Sequence, residues 1–241
     1  MNTAADELML NRAVAFASQG LRVFPLHEPT ALETCSCKEK SECGSVGKHP
    51  RIMEGFKAAT VDSEQIRKWW ARWPTANIGV ATGGGMFVLD VDFGHDGDRS
   101  LADLEVEHGE LSDEHPRVTT GNGAHYYFKI DGEVKNSASK VAPGLDIRGD
   151  GGYVVGSGST HGNGAVYTHD VGSGTSLIEA PEWLEELVVS TAPKLRLVEP
   201  SEPEDVSSGG RNNYLTREGG KLRRVGFVFL GSTRCAKGLF G

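Results

Sequence analysis

Leu10, Ala13, Val14 and Ala17 recur at helical spacing and stop at Gly20, a residue suited to the left-handed cap that ends many helices. The chain is therefore predicted to open on a helix. LRVFPL (21–26) follows as a short apolar strand. From about His27 to Gly55 the pattern dissolves into Cys, Gly, Pro and Lys, a stretch too long and too polar for a plain connection. Periodicity returns at Asp62, which with Gln65 resembles a capping box. Ile66, Trp69, Trp70 and Trp73 then fall at i, i+3, i+4 and i+7 before Pro74, the stripe of an amphipathic helix. Tryptophans so spaced pack a core more often than they form a base-stacking platform.

Beyond Asn77 the runs shorten. NIGVA (77–81), MFVLDVD (86–92), HYYFKI (125–130), LDIRG (145–149) and GGYVV (151–155) are apolar segments separated by turns, and read as strands. SLADLEVEH (100–108) reads as a helix, with Leu101, Leu104 and Val106 as candidates for its inner side, and PEWLEEL (181–187) as another short one. Helices interspersed with separated strands predict an α+β fold with a central mixed sheet. APKLRLVEPSEPEDVSSGG is Pro-, Glu- and Ser-rich and has the composition of a linker. The expected organisation is a folded domain over 1–190 with the loop 27–55 inserted, a linker over 191–210, and a tail over 211–241.

Length and charge narrow the picture. A chain of 241 residues suffices for one large domain, and 38% hydrophobic content with 32 glycines fits a globular protein rich in tight turns. The net charge is −8, yet from Arg211 onward Arg211, Arg217, Lys221, Arg223, Arg224, Arg234 and Lys237 face Glu218 alone. A basic tail thus follows an acidic body, which argues against a passive phosphate-binding surface and is compatible with carboxylates that hold metals. No apolar run approaches the ~20 residues of a bilayer span, and MNTAADELML lacks the features of a signal peptide, so no membrane partner and a cytoplasmic location are expected. Cys35, Cys37 and Cys43 crowd together while Cys235 stands apart, a pattern better suited to a metal than to a disulfide framework.

Three clusters carry candidate chemistry. In MFVLDVD, strand alternation puts Asp90 and Asp92 on one face at the strand end. Such a pair holds divalent ions that polarise an attacking hydroxyl and a leaving pyrophosphate, unless it is merely a solvated turn. In RVTTGNGAHYYFKI, Gly121 and Gly123 let backbone N–H groups approach an anion and Thr120 adds a hydroxyl; His125 then reaches a phosphate or is structural. In GLDIRGDGGYVV, Leu145 and Ile147 face one way, Asp146 and Arg148 the other. Asp146 is a third candidate metal ligand, and Arg148 pairs with it or binds a triphosphate; the alternative is a surface ion pair. Asp150 reads as a turn residue. The C-x-C-x5-C-x5-H spacing of Cys35, Cys37, Cys43 and His49 makes a candidate Cys3His zinc site, with His27 as substitute ligand should His49 point away.

ANIGVATG, FVLDVD, TGNGAHYYF and GLDIRGDGGYVV, in this order and at these intervals, resemble the bifunctional primase-polymerase domain of phage and plasmid replication proteins, within the archaeo-eukaryotic primase superfamily, over about Ala13 to Glu186. The resemblance implies a two-lobed fold with its carboxylates on the central sheet. It implies Asp90, Asp92 and Asp146 as ligands of catalytic Mg2+ or Mn2+, His125 as a contact to the incoming nucleotide's phosphates, and Arg148 as a further anion contact. The implied activity is polymerisation of NTPs or dNTPs on a single-stranded DNA template, with a replicative helicase as a further partner. Inserts like the cysteine loop lie beside the active site in some members, where Lys48 and Arg51 would face template or triphosphate. One departure stands out: members often carry serine two residues before the histidine, where this chain has Gly123, so that hydroxyl is lost or supplied by Thr120. SGGRNNYLTREGGKLRRVG resembles the opening of the small helical region that follows the catalytic domain in relatives, and stops early. The rival expectation is a catalytically weak template- or origin-binding module of a larger helicase-primase, which the complete Asp, His, Asp set disfavours; a metal-dependent nuclease draws no support from the resemblance.

Overall fold

In chain order the computed structural model has α1 (Ala4–Ser18), β1 (Val23–Leu26), β2 (Pro29–Ala31), β3 (Thr34–Cys35), α2 (Ser63–Arg72), β4 (Asn77–Ala81), β5 (Met86–Asp92), α3 (Gly97–His108), β6 (Arg117–Thr119), β7 (Gly123–Lys129), β8 (Ser137–Ala142), β9 (Leu145–Arg148), β10 (Tyr153–Val155), β11 (Thr168–His169) and α4 (Glu182–Ser190). It describes residues 4–190. The expected linker over 191–210 and basic tail over 211–241, with Cys235, lie outside the described residues. None of the described helices is long and apolar enough to cross a membrane.

In α2 capping and periodicity agree. The Asp62 carboxylate accepts the Glu64 N–H at 2.9 Å, closing the start of α2. Ile66 and Trp70 are buried, Trp69 and Trp73 pack partly buried against the same core, and the Trp70 indole N–H donates to Ala76 O at 3.2 Å. The tryptophan stripe is core packing. In α3, Leu101 is buried and Leu104 packs on the core, whereas Val106 is 89% exposed, against expectation. Five residues beyond Leu101 the helix has turned well past its inner face.

β1, β4 and β10 form a three-stranded sheet, and six strands pair in the order β11-β6-β7-β5-β9-β8. The expected mixed sheet is not found: every strand pairing in both sheets is antiparallel. β5 and β6, joined through α3, do run in the same direction, but β7 turns back and pairs with each of them from between. Direction and neighbour are long-range properties that periodicity does not encode.

β5 is buried on both faces. Phe87, Leu89 and Val91 pack with Leu101, Phe128, Leu145, Ile147 and Leu184 in one core. Met86 and Val88 pack with residues of β1, β4, β10 and α2 in the other. Asp90 and Asp92 continue the row of Met86 and Val88 to the end of the strand, where apolar packing stops.

Candidate active site

Register brings together what the sequence holds far apart. Asp90 on β5 lies opposite His125 on β7 and opposite Asp146 on β9. Directly opposed residues of antiparallel strands share a face, so His125, Asp90 and Asp146 form a row across three strands. Asp92 is two residues further along that face, and Arg148, opposite Val88, is two residues from Asp146.

Arg148 joins two of the carboxylates. Its Nη2 donates to Asp146 Oδ2 at 2.7 Å and to Asp90 Oδ2 at 3.1 Å, and its Nε approaches the same Asp90 oxygen at 3.3 Å. Of the two readings open for Arg148, the ion pair is present, and it extends to Asp90 as well. The other Asp146 oxygen accepts the Ser139 N–H at 2.8 Å. Ser139 has φ 47° and sits where the β8–β9 register shifts, so an irregularity of the edge strand aims this donor.

Asp92 is held differently. Its Oδ1 accepts the Gly94 N–H at 2.8 Å and the Asn122 side-chain N–H at 2.9 Å, while Oδ2 meets His95 Nδ1 at 2.8 Å. Burial opposes ionisation of Asp92, but these contacts outweigh it and hold its carboxyl below the usual carboxylate range. Sequence reasoning missed Ser139, Asn122 and His95. For Asn122 and His95 a signal existed, since both are polar residues in the turns flanking the Asp-x-Asp and histidine segments.

His125 is 6% exposed, with Nε2 3.5 Å from Asp90 Oδ1 and a buried Nδ1 without a hydrogen-bond partner. Burial pushes its pKa down, the Asp90 charge opposes that, and the charges of Arg148 and Lys48 add to it. The ring is therefore neutral at neutral pH and keeps one N–H to donate. Asp90, Asp92, Thr120, Asn122, His125, Asp146 and Arg148 line a cavity of about 820 Å³, with Tyr153 of β10 and Lys48 of the cysteine loop contributing to its wall. Gly121 and Gly123 do not line it: a side chain on Gly121 would strike the His161 ring, and one on Gly123 the Val91 carbonyl. Asp150 is a turn residue as expected, its carboxylate accepting the N–H groups of Gly84 and Val134.

In the cysteine loop, Cys35, Cys37, Cys43 and His49 each offer a ligand atom, all within 4.8 Å of one another. His49 Nε2 lies 3.3 Å from Cys35 Sγ and 3.5 Å from Cys43 Sγ. The three cysteines and Val46 are a small buried cluster of their own, and burial raises the Cys43 thiol pKa to about 11. Thiolates and an imidazole at such separations suit a tetrahedral zinc ion. His27 is not a fifth candidate, because His49 points inward. Instead the His27 ring stacks on His49 at 4.5 Å and bonds Ser36 Oγ at 2.8 Å; burial, then the charges of Arg51 and His49, lower its pKa to about 4. Arg51 does not face the cavity as expected: it is engaged by Glu28 and Ser36 and lies over the Trp73 ring.

Across residues 13–183 the sequence matches the family described as bifunctional DNA primase/polymerase, N-terminal (Prim-Pol). The chain belongs to this family. The Prim-Pol match contains the whole row of Asp90, Asp92, His125, Asp146 and Arg148 together with the cysteine loop. Among curated proteins, none is similar enough to the chain to register as a match.

If the Cys3His group holds zinc, elemental analysis of the purified chain returns close to one equivalent, and Cys35→Ser combined with Cys37→Ser removes it. Zinc retained by that variant would place the metal elsewhere.

Proposed function

We propose that this Prim-Pol chain is a template-directed nucleotidyltransferase that joins NTPs or dNTPs with two divalent ions held by Asp90, Asp92 and Asp146. The observation that carries the reading is the convergence of Asp90 and Asp146, from adjacent strands, on one guanidinium nitrogen inside a cavity of about 820 Å³. Carboxylate oxygens gathered about one positive charge are a donor set that fits Mg2+ or Mn2+. When bound, such ions neutralise the triphosphate and favour ionisation of the attacking 3′-hydroxyl.

The chain's own groups do the positioning. Gly94, Asn122 and His95 keep Asp92 charged and oriented, and the Ser139 N–H fixes Asp146. Neutral His125 donates an N–H to a phosphate oxygen without adding charge to the row. Arg148, which here spans Asp90 and Asp146, turns its planar fork to the phosphates of the nucleotide. No covalent intermediate with the chain is required. In this reading the two sheets are the lobes of an archaeo-eukaryotic primase-like fold, the template is single-stranded DNA, and the setting is phage or plasmid replication beside a replicative helicase.

The test uses the full chain on a primed single-stranded template. Extension products that follow the template sequence are expected with Mn2+ or Mg2+, stopped by EDTA and restored by excess metal. Template binding without extension under every metal condition would make the chain a binding module, and shortening of the template would make it a nuclease; either result sinks the reading.

A further inference from the structure

A second cavity, of about 570 Å³, lies apart from the catalytic one, and no residue lines both. Its size is that of a small-molecule site. Arg12, Ala15, Phe16 and Gln19 fall at i, i+3, i+4 and i+7 of α1, so one face of that helix makes part of the wall. Val118 of β6, Tyr127 of β7 and His169 of β11 contribute from the six-stranded sheet, and Leu177 from the segment that follows.

The body of the cavity is apolar. Phe16, Leu21 and Leu177 pack partly buried on the core to which Val118 and Tyr127 belong. Its charge is positive. In a chain of net charge −8, no Asp or Glu lines it among the described residues, whereas Arg12 does. Asp170, beside His169, is taken up by Arg117 at 2.7 Å. Arg12 itself has no ion pair and no side-chain hydrogen bond among the described residues. A Cβ on Gly158 would collide with Nη1 and Cδ of Arg12, so that glycine leaves the room the arginine side chain occupies.

Tyr127 supplies an independent pointer to a ligand. The residue is 5% exposed, and its buried hydroxyl has no hydrogen-bond partner among the described residues. Burial, then the charge of Asp90 and the neighbouring Tyr167, push its pKa up, so it stays a hydroxyl that can donate and accept. Leaving such a group unpaired is costly, and a polar atom on a ligand would pair it. Apolar walls that include the Phe16 ring accept a flat ring, the Tyr127 hydroxyl calls for a heteroatom on that ring, and one guanidinium suits one attached anionic group. A nucleobase carrying a single phosphate combines all three.

We propose that this cavity binds a nucleoside monophosphate, with the phosphate on Arg12, the base among Phe16, Val118 and Leu177, and a ring heteroatom on the Tyr127 hydroxyl. The site is separate from the catalytic row and does not depend on the nucleotidyltransferase reading.

The experiment measures binding of deoxyadenosine monophosphate to the full chain by calorimetry in EDTA, without template. Saturable binding is expected, weakened about tenfold by Arg12→Ala, the size of one charge-assisted contact, and partly restored by Arg12→Lys. Deoxyadenosine, which lacks the phosphate, binds the wild-type chain about tenfold more weakly than the monophosphate, and Arg12→Ala does not weaken it further, because both changes remove the same contact. Tyr127→Phe weakens monophosphate binding about fivefold yet does not lower the thermal midpoint of the free chain, since the hydroxyl has no partner to lose. Arg148→Ala, which removes the guanidinium of the catalytic cavity, leaves binding unchanged. Absence of saturable binding, or affinity indifferent to Arg12→Ala, overturns the proposal. Affinity lost in Arg148→Ala and kept in Arg12→Ala places the nucleotide in the catalytic cavity and overturns it too. An oligodeoxynucleotide that binds through Arg12 where the monophosphate does not bind would make the surface part of a strand path, which also sinks the mononucleotide site.

Discussion

Asp90→Asn is expected to reduce template-directed extension about a thousandfold or more while the chain stays folded. Asp90 is the middle of the row: His125 stands on one side of it, Asp146 on the other, and Arg148 reaches it from Asp146. Asparagine keeps the shape and one acceptor oxygen, so Arg148 retains a partner and the cores on either face of β5 are untouched. What disappears is a full negative charge at the point where the proposed ions have to be held. Metal assistance of this kind supplies several kcal/mol of transition-state stabilisation, and each ~1.4 kcal/mol is a factor of ten in rate. The measurement is kcat/KM for nucleotide addition, with circular dichroism and the thermal midpoint as controls. Activity within tenfold of wild type, in a folded variant, would remove Asp90 from the proposed machinery.

The parts of this site that were legible in the sequence are those written in short-range periodicity. Alternation in MFVLDVD places Asp90 and Asp92 on one face, and alternation in LDIR places Asp146 and Arg148 together; β5 and β9 bear out both. Which strand lies beside which, and in what register, depends on contacts between distant segments, so the row itself became visible only in three dimensions. Motif order in a known family anticipated the partners without explaining them. β8 left no trace in the pattern: SASKVA is an edge strand whose middle residues are exposed, so no apolar alternation marks it, and yet its irregularity delivers the Ser139 N–H to Asp146. Arg51 illustrates the opposite error. The resemblance of its loop to inserts beside the active site suggested a contact to template or triphosphate, but Glu28, distant in sequence, claims its guanidinium.

Gly123→Ser tests how the departure from the family's histidine segment is built into the fold. The substitution is expected to destabilise the chain by about 3 kcal/mol and to lower extension about a hundredfold, in place of restoring a useful hydroxyl. Gly123 is not in the left-handed region, so the constraint is space and not backbone conformation. It pairs with Asp92 in the β5–β7 register, and a Cβ there would strike the backbone carbonyl of Val91. No rotamer relieves a collision between a Cβ and a neighbouring main chain; β7 has to move away from β5. That displacement acts at the end of the ladder where Asn122, the residue before Gly123, holds Asp92 at 2.9 Å, and it carries His125 with it. Thr120, the other hydroxyl of the segment, lines the cavity, and its Oγ1 accepts the Asn122 N–H at 3.2 Å. Urea denaturation and extension kinetics read the two effects separately. A variant as stable and active as wild type would mean that the strands separate at little cost, and the close approach of β5 and β7 would then have no part in setting the geometry of Asp92 and His125.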